Sequence, residues 1–492
     1  MRRRMLTWLA IVAALPAVSY GWSWADKSGN VTLEAGVTRV TNADITYVAA
    51  LTGIEIPADA SLVFENTQPL TLSASLSGAG AVCSGTAGTV VFAGDNSAHT
   101  GSMAFTNMNV TVTHRYGLGS ATRAVEHCNA RLLFKGNGLT NDVPLVIRDS
   151  ARNSRTQSSN TFTENWTDPW RQNGSVDFYA PDWAFGNWTF TGGLKFNSTV
   201  YGFSITRDCR PVILNKPFDS SKSLYLGLGF YAQDESTSWN AARFVDITLA
   251  APGCKYRDFA IANGVKYNGT YHRGIICGCA NALDQNNYLG LGRANTYKVM
   301  LDLNGYDQTV PQVHHSTYHV GSTDWRCTPI RGMADYCLVK SDTAAKLTMT
   351  GNDTSSVAYK FSGGISLRQE GMGTYTILNQ YCDTTGRLEV VHGKVAFDWE
   401  SGWGGNVEVF NSGTAAFLEG STLSRSKKKS KVNVHEGGKL YVTNGVEIVC
   451  AALVLGSRDM PAGKYSAANA PEWIEGGGVV DVRGIGFSII FR

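Results

Sequence analysis

The residues best suited to chemistry form an aromatic cluster between positions 166 and 188, where rings alternate with polar side chains. Asp168, Arg171 and Asp182 are interleaved with these rings. Flat aromatic faces beside hydrogen-bonding groups are how proteins hold sugar rings. The cluster predicts a glycan-binding surface, and the alternative interpretation is that the rings pack an inserted hairpin against the rest of the fold. The candidate ligand-binding residues are Trp166, Trp170, Tyr179, Trp183 and Trp188.

A histidine string is the second candidate, formed by His314, His315 and His319. On a helix His315 and His319 would share one face and could bind a metal together. The flanking segments 310–313 and 320–322 instead indicate a strand and a turn. We therefore expect a polar loop and predict neither a metal site nor a cofactor. The aspartates nearby in sequence are Asp302, Asp307 and Asp324.

Short strands in a recurring frame must position these residues. The frame is apolar, x, apolar, x, x, Gly, and it occurs at Leu388-Glu389-Val390-Val391-His392-Gly393 and again at 432–437. Val390 and Val409 are 19 residues apart, and Val409 and Val434 are 25 apart. These spacings fit one coil of a parallel β-helix, which must stack on neighbours because a single coil buries too little apolar surface. We predict an all-β, right-handed parallel β-helix (β-solenoid) with irregular insertions.

The same frame places Glu389, Glu408 and Asn433 in one outward column, between inward apolar positions. Polysaccharide lyases and glycoside hydrolases built on β-helices need carboxylates at matching positions of adjacent coils, or a calcium cluster with a base. A partly acidic column is also typical of a solvated face. An enzymatic role therefore stays open as the alternative to a non-enzymatic one.

The segment from Gly88 to Gly101 combines a short β-run with a Gly-Asp-Asn turn and a closing glycine. It resembles the autotransporter-associated β-strand repeat of bacterial passenger domains, with Gly88, Thr89, Gly94 and Asn96 in register. Gly101 comes one residue late, and Ala98 or His99 stands in place of the family's tyrosine. We expect Gly94-Asp95-Asn96 to adopt the left-handed backbone of a corner.

Two further segments resemble these proteins: Leu367 to Thr374 provides the lead-in to a second repeat, and Leu301 to Val310 is typical of them. The resemblance implies a passenger-like β-solenoid that acts as a structural or adhesive module at the cell surface. Such modules contact extracellular glycans or surface proteins.

The amino terminus has the layout of a secretory signal. Arg2, Arg3 and Arg4 precede an apolar run from Leu6 to Leu15, which is too short to span a bilayer. The small residues that follow offer cleavage sites after Ser19, Gly21 or Ala25. We predict export to the cell surface or the extracellular medium, with the periplasm as an alternative, and no transmembrane span in the mature chain. The predicted organisation is 1–25 signal peptide, 26–148 N-terminal coils, 149–197 aromatic-rich insertion, 198–345 irregular solenoid, and 346–492 regular repeats with a cap.

Composition agrees with this interpretation. Of 492 residues 17% are charged, and the formal net charge is +3. A charge so near zero gives no argument for binding nucleic acid. The ten cysteines permit disulfides in an exported protein. The basic run from Arg425 to Lys431 is expected to be a solvated loop, with contact to an anionic polysaccharide or lipid as the alternative.

Overall fold

A computed structural model describes most of the chain, and in several of the shorter strands it describes the backbone alone. Contacts between Cα atoms divide the chain into two compact units, Met1–Arg210 and Pro211–Arg492. The described residues are 22–120, 125–128, 132–135, 140–141, 143–148, 176–179, 188–190, 194–196, 203–205, 212–215, 217–220, 224–227, 245–255, 258–262, 266–267, 270–271, 273–293, 300–316, 337–423 and 430–483.

The first unit is a β-solenoid in which each strand pairs in parallel with the strand one coil later. Gly36 pairs with Ala60 and Ser61 pairs with Ala81, so successive coils take 24 and 20 residues. One ladder consists of Asn30–Thr32, Gly53–Glu55 and Ser75–Ser77. The second contains Gly36–Val40, Ala60–Phe64, Ala81–Ser84, Met103–Thr106, Val125–Cys128, Leu145–Arg148 and Leu194–Phe196. The third contains Leu70–Leu72, Gly88–Phe92, Met108–Val112, Leu132–Lys135, Val176–Tyr179 and Phe203–Ile205, and Thr140–Asn141 pairs with Trp188–Phe190.

A short α-helix, Ile45–Ala49, occurs in the first coil after the 3₁₀ turns Trp24–Asp26 and Asn42–Asp44. It contacts the strand Leu70–Leu72, the first strand of the third ladder, and buries Val48. An uncovered first strand would present unpaired backbone groups to other chains. The helix therefore covers the beginning of this ladder.

The second unit has the same parallel architecture with longer strands. Its largest ladder contains Val212–Leu214, Val245–Leu249, Arg273–Cys277, Met300–Asp302, Gln308–Val310, Cys337–Met349, Tyr359–Gln369, Leu388–Val390, Val407–Val409, Lys431–Val434 and Ala452–Leu455. Another contains Ser355–Val357, Thr374–Leu378, Gly393–Asp398, Gly413–Phe417, Lys439–Val442 and Ile474–Glu475. Shorter ladders are Leu224–Gly227, Asp258–Ala262, Tyr288–Arg293 and Val313–Ser316, then Tyr381–Cys382, Gly402–Trp403 and Thr422–Leu423. Phe218–Ser220 is a further strand, and Glu447–Cys450 pairs with Val479–Val482.

Antiparallel pairing in this unit is confined, among the described residues, to three short contacts. Arg458–Met460 folds back on Ala452–Leu455, the final strand of the largest ladder. Gly463–Tyr465 pairs with Val479–Val482 in the same sense, and Lys266–Tyr267 forms a small hairpin with Thr270–Tyr271. The first two contacts reverse the parallel order where the regular repeats end.

The inward positions of the repeating frame form continuous buried columns. Val390 pairs with Val409, Val409 pairs with Val434, and all three are fully buried. Side chains alternate along a strand, so each coil presents one apolar set inward. Full burial of a valine side chain stabilises the folded state by about 1.5–3 kcal/mol. The 19- and 25-residue spacings are therefore single coils, and the all-β parallel solenoid predicted from the sequence is confirmed.

Glycines close the frame for a conformational reason. Gly393 and Gly437 have φ angles of +62° and +79°, in the left-handed region that a side chain disfavours. Gly393 is the first residue of the strand Gly393–Asp398, and Gly437 lies in the turn between the strands Lys431–Val434 and Lys439–Val442.

The Gly94-Asp95-Asn96 turn differs from expectation. None of the three residues has a positive φ, so the prediction of a left-handed corner is wrong here. Gly94 is required instead by close approach, because a Cβ atom would lie 2.3 Å from the carbonyl oxygen of Ala74 in the preceding coil. The glycine of this motif serves the stacking of coils.

Asn96 is fully buried and connects three successive coils. Its Oδ1 accepts a hydrogen bond from the backbone nitrogen of Leu76 at 2.7 Å, and its Nδ2 donates to the carbonyl oxygen of Gly117 at 2.7 Å. Buried backbone groups require partners, and the corner interrupts the ladder bonds that would supply them. The asparagine replaces those bonds with its own amide.

Strands within the predicted insertion 149–197 belong to the ladders. Val176–Tyr179 pairs in parallel with Leu132–Lys135, and Leu194–Phe196 pairs with Leu145–Arg148. The domain boundaries themselves stay predictions. In the part of the chain that the structure describes, no helix is long and apolar enough to cross a membrane.

Candidate ligand-binding face

The outward side of the largest ladder in the second unit carries an ordered array of polar side chains. We name this surface, between Asp307 and Gly456, the ladder face. Successive strands are in register, so side chains at matching positions form columns along the solenoid. The first column is Asp307, Lys346, Ser366, Arg387, Asn406, Lys431 and Ala452. The middle column is Thr309, Thr348, Arg368, Glu389, Glu408, Asn433 and Val454, and the third is Pro311, Thr350, Glu370, Val391, Phe410, His435 and Gly456.

Two arginines connect the carboxylates of this face. Arg368 donates to Glu370 at 2.6 Å and to Glu389 at 2.8 Å. Arg387 lies 3.0 Å from a carboxylate oxygen of Glu408 and 3.9 Å from one of Glu389. The hydrogen bonds to Glu389 and Glu370 raise the pKa of the Arg368 guanidinium above its ordinary value. The result is a continuous chain of ion pairs across three coils.

The predicted column of Glu389, Glu408 and Asn433 is confirmed as an outward column in register. Its chemistry differs from that of a catalytic carboxylate pair, because both glutamates already accept hydrogen bonds or ion pairs from arginine. Either carboxylate would have to break its arginine contact before it could act on a substrate. This arrangement favours hydrogen bonding to a ligand over acid–base catalysis at this face.

An aromatic edge borders the ladder face. Phe410 and His435 occupy the same position of adjacent coils, and their rings stack with centroids 4.5 Å apart and planes 6° apart. The amide nitrogen of Asn433 lies 3.2 Å from Nε2 of His435. In the next coil Gly456 occupies the position of Phe410 and His435. A Cβ atom added to Gly456 would lie 3.0 Å from Cη2 of Trp473. The missing side chain makes room for the indole, which is half-buried.

The aromatic cluster predicted from the sequence lies largely beyond the described part of the chain. Trp166, Trp170 and Trp183 are outside the described residues. Tyr179 and Trp188 belong to the strands Val176–Tyr179 and Trp188–Phe190, of which the backbone is described. A glycan-binding surface at these residues stays a prediction.

The histidine string is strand and not helix over its first residues. His314 and His315 belong to the strand Val313–Ser316, while His319 and Asp324 lie outside the described residues. Asp302 forms an ion pair with Lys340 at 3.1 Å. Among the described residues, no group of three or more His, Cys, Asp or Glu could hold a metal ion.

His314 instead belongs to a mixed cluster. The ring of Tyr288 meets it edge-on with centroids 5.7 Å apart, and the Tyr288 hydroxyl donates to a carboxylate oxygen of Asp353. Gln312 donates to the backbone carbonyl of Asp353 at 3.1 Å. A phenol, a carboxylate and an imidazole are thus brought together from separate coils.

Sequence reasoning missed the arginines and the aromatic edge. Arg368 and Glu389 are 21 residues apart, as are Arg387 and Glu408, so each arginine meets a glutamate one coil later. This offset equals the coil length for the first pair and exceeds it by two residues for the second, because Arg387 is level with Asn406, and an offset so near the coil length could have revealed both pairs. The contact of Trp473 with Gly456 carries no comparable signal, because the two belong to different ladders.

Comparison with protein-family models, with curated proteins and with solved structures gives no match to this chain.

Proposed function

We propose that this chain is an exported, passenger-like β-solenoid that acts as a structural or adhesive module at the cell surface and contacts glycans. The observation that carries the proposal is the ion-paired ladder face, in which Arg368 and Arg387 hold Glu389 and Glu408 as fixed hydrogen-bond acceptors. Solenoids characteristically bind ligands along such extended faces. Export is supported by the signal-like amino terminus, and the passenger-like character by the repeat resemblance at Gly88 to Gly101.

A binding role fits the ladder face better than turnover does. Glu389 is only 14% exposed and is shared between two guanidinium groups. Releasing it as a free base would break both contacts. Fixed donors and acceptors on a rigid sheet lose little conformational entropy when they bind a hydroxyl-rich surface.

The test is binding of the exported chain to an array of bacterial, plant and mucin glycans, combined with an assay for soluble products from the same polysaccharides. We expect selective binding without product release. Trp170→Ala and Trp183→Ala variants show whether the aromatic cluster shares in that binding. Release of product by the wild type, or a blank array, contradicts the proposal.

A polysaccharide lyase or glycoside hydrolase is the second candidate function. The observation that favours it is the cluster of Tyr288, His314 and Asp353, whose groups are the usual proton donors and acceptors of such reactions. If the chain turns over a polysaccharide, Asp353→Asn is expected to abolish product release while leaving the fold intact. Glu389→Gln, on the ladder face, is the matched control.

The structure bears on where a signal peptide would be removed. Trp24 is buried, and its indole nitrogen donates to the carbonyl oxygen of Arg39 at 2.7 Å. Cleavage after Ser19 or Gly21 keeps this contact, whereas cleavage after Ala25 removes it. We expect amino-terminal sequencing of the exported protein to begin at Tyr20 or Trp22, and a start at Asp26 would contradict this.

A further inference from the structure

We infer that the ladder face binds an uncharged, hydroxyl-rich polysaccharide that lies along the solenoid, an inference that rests on the proposed glycan-contacting function. The first observation is charge balance. The described face carries equal numbers of basic and acidic side chains, so it offers no net attraction to a charged polymer. The basic residues are Lys346, Arg368, Arg387 and Lys431, and the acidic residues are Asp307, Glu370, Glu389 and Glu408.

The second observation is that both arginines of the face and three of its four acidic side chains, Glu370, Glu389 and Glu408, are already ion-paired with each other. Arg368 and Arg387 share Glu389, and Arg387 reaches on to Glu408. A uronate or sulfate group would have to compete with these carboxylates for the same guanidinium hydrogens. A sugar hydroxyl both donates and accepts, so it can bridge an arginine and a glutamate without separating them.

The third observation is exposure along the first column. Arg387 is 48% exposed, and Asn406 and Lys431 are exposed on the following coils. Hydrogen bonds to the backbone of the next coil hold this column in place. Asn406 Oδ1 accepts one from the backbone nitrogen of Lys431 at 2.9 Å, and Ser366 Oγ accepts one from the backbone nitrogen of Arg387 at 3.0 Å. Adjacent coils are about 4.8 Å apart. The donors therefore repeat in a line, which suits a polymer better than a compact ligand.

The fourth observation is the aromatic edge beside these donors. The rings of Phe410 and His435 and the half-buried indole of Trp473 line one side of the face. The apolar faces of uncharged sugar rings pack on such side chains, while their hydroxyls reach neighbouring polar groups. The face therefore combines both kinds of contact within reach of one chain of sugars.

The experiment measures binding of soluble neutral polysaccharides (a glucan and a galactomannan) and acidic ones (polygalacturonate and alginate) at 50 and 300 mM NaCl. We expect binding of a neutral polymer with less than about a twofold change between these salt concentrations, because salt screens attraction between charges and an uncharged polymer has none. Arg387→Met should weaken this binding about tenfold, as loss of a charged hydrogen-bond donor does. Lys464→Met is the matched control: Lys464 is an exposed cation paired with Glu447 at 2.8 Å and lies off the ladder face.

The outcomes separate this inference from the function on which it rests. Binding only to acidic polymers, with steep loss at 300 mM NaCl, overturns the inference and leaves the glycan-contacting function standing. If Arg387→Met leaves the binding of a neutral polysaccharide unchanged, the inference is also overturned, because the ligand then lies elsewhere. A lack of binding to every polysaccharide overturns both. Circular dichroism of the variant confirms that any lost binding is not lost folding.

Discussion

The side-chain nitrogen of Asn96 lies 2.7 Å from the carbonyl oxygen of Gly117, one coil further along the chain. The same side chain accepts a bond from Leu76 on the other side, so a single amide joins three coils at a corner. The polar residue of this repeat-like segment thus satisfies backbone groups of the two neighbouring coils.

Asn96→Ala removes both bonds and leaves a buried donor and a buried acceptor without partners. We expect the free energy of unfolding to fall by about 2–4 kcal/mol, from the cost of unsatisfied buried groups. Urea denaturation followed by circular dichroism measures this. Asp95→Ala is the control, since Asp95 is exposed and bonds only within its own turn, to Ser97. Equal effects of the two changes would refute the bridging role.

Gly94→Ala tests the close approach of adjacent coils. The added Cβ atom would stand 2.3 Å from the backbone carbonyl oxygen of the buried Ala74, so we expect a loss of stability of about 3 kcal/mol or more, or failure to fold. Gly85→Ala is the comparison, because its Cβ atom meets the flexible side chain of Glu65 at 2.9 Å. Thermal unfolding of both variants should show a large shift for the first and a small one for the second.

His99 makes stability depend on pH. Burial lowers the pKa of its imidazole below the ordinary 6.5, although the Gly80 carbonyl at 3.1 Å partly opposes this. The unfolded chain therefore takes up a proton before the folded chain does. Stability should be complete above about pH 6.5 and fall as the pH drops from there toward the folded pKa, by at most about 1.4 kcal/mol per pH unit.

Denaturation midpoints measured between pH 4.5 and 7.5 test this expectation. His99→Gln keeps a donor for Gly80 and should flatten the dependence that His99 causes. The exposed His392 provides the control, and His392→Gln should leave the slope as it is in the wild type. An unchanged slope in His99→Gln would show that other groups cause it.

Cys382 and Cys450 should resist alkylation in the folded protein. Burial raises the pKa of each thiol to about 12, so roughly one molecule in ten thousand carries the thiolate at pH 8. Cys279 is only partly buried and should react sooner. Mass spectrometry after timed iodoacetamide treatment distinguishes the three, and the urea-denatured chain provides the fully reactive reference. Rapid labelling of Cys382 without denaturant would contradict the buried placement.

The sequence allowed the solenoid and its register to be predicted where the frame is regular. Val390, Val409 and Val434 are one coil apart because inward positions must be apolar in every coil, and that requirement is visible in a single chain. The outward column of Glu389 and Glu408 followed from the same alternation. These predictions depend only on local periodicity.

Other features depend on which atoms face each other across coils, and periodicity does not contain that information. Asn96 resembles any turn asparagine until Leu76 and Gly117 are placed beside it. Arg368 and Glu389 are ordinary surface residues until the register brings them to 2.8 Å. The cluster of Tyr288, His314 and Asp353 spans 65 residues and no repeat relates its members.

The reversed strand Arg458–Met460 determines how the largest ladder meets other molecules. A parallel stack can recruit a foreign chain as its next layer, which is how fibrils grow. Here the hydrogen-bonding edge of Ala452–Leu455 is taken by a strand running the other way. The replacement edge is three residues long and exposes Arg458 and Asp459, a poor template for growth. The reversed strand thus blocks the addition of a further parallel strand at this edge.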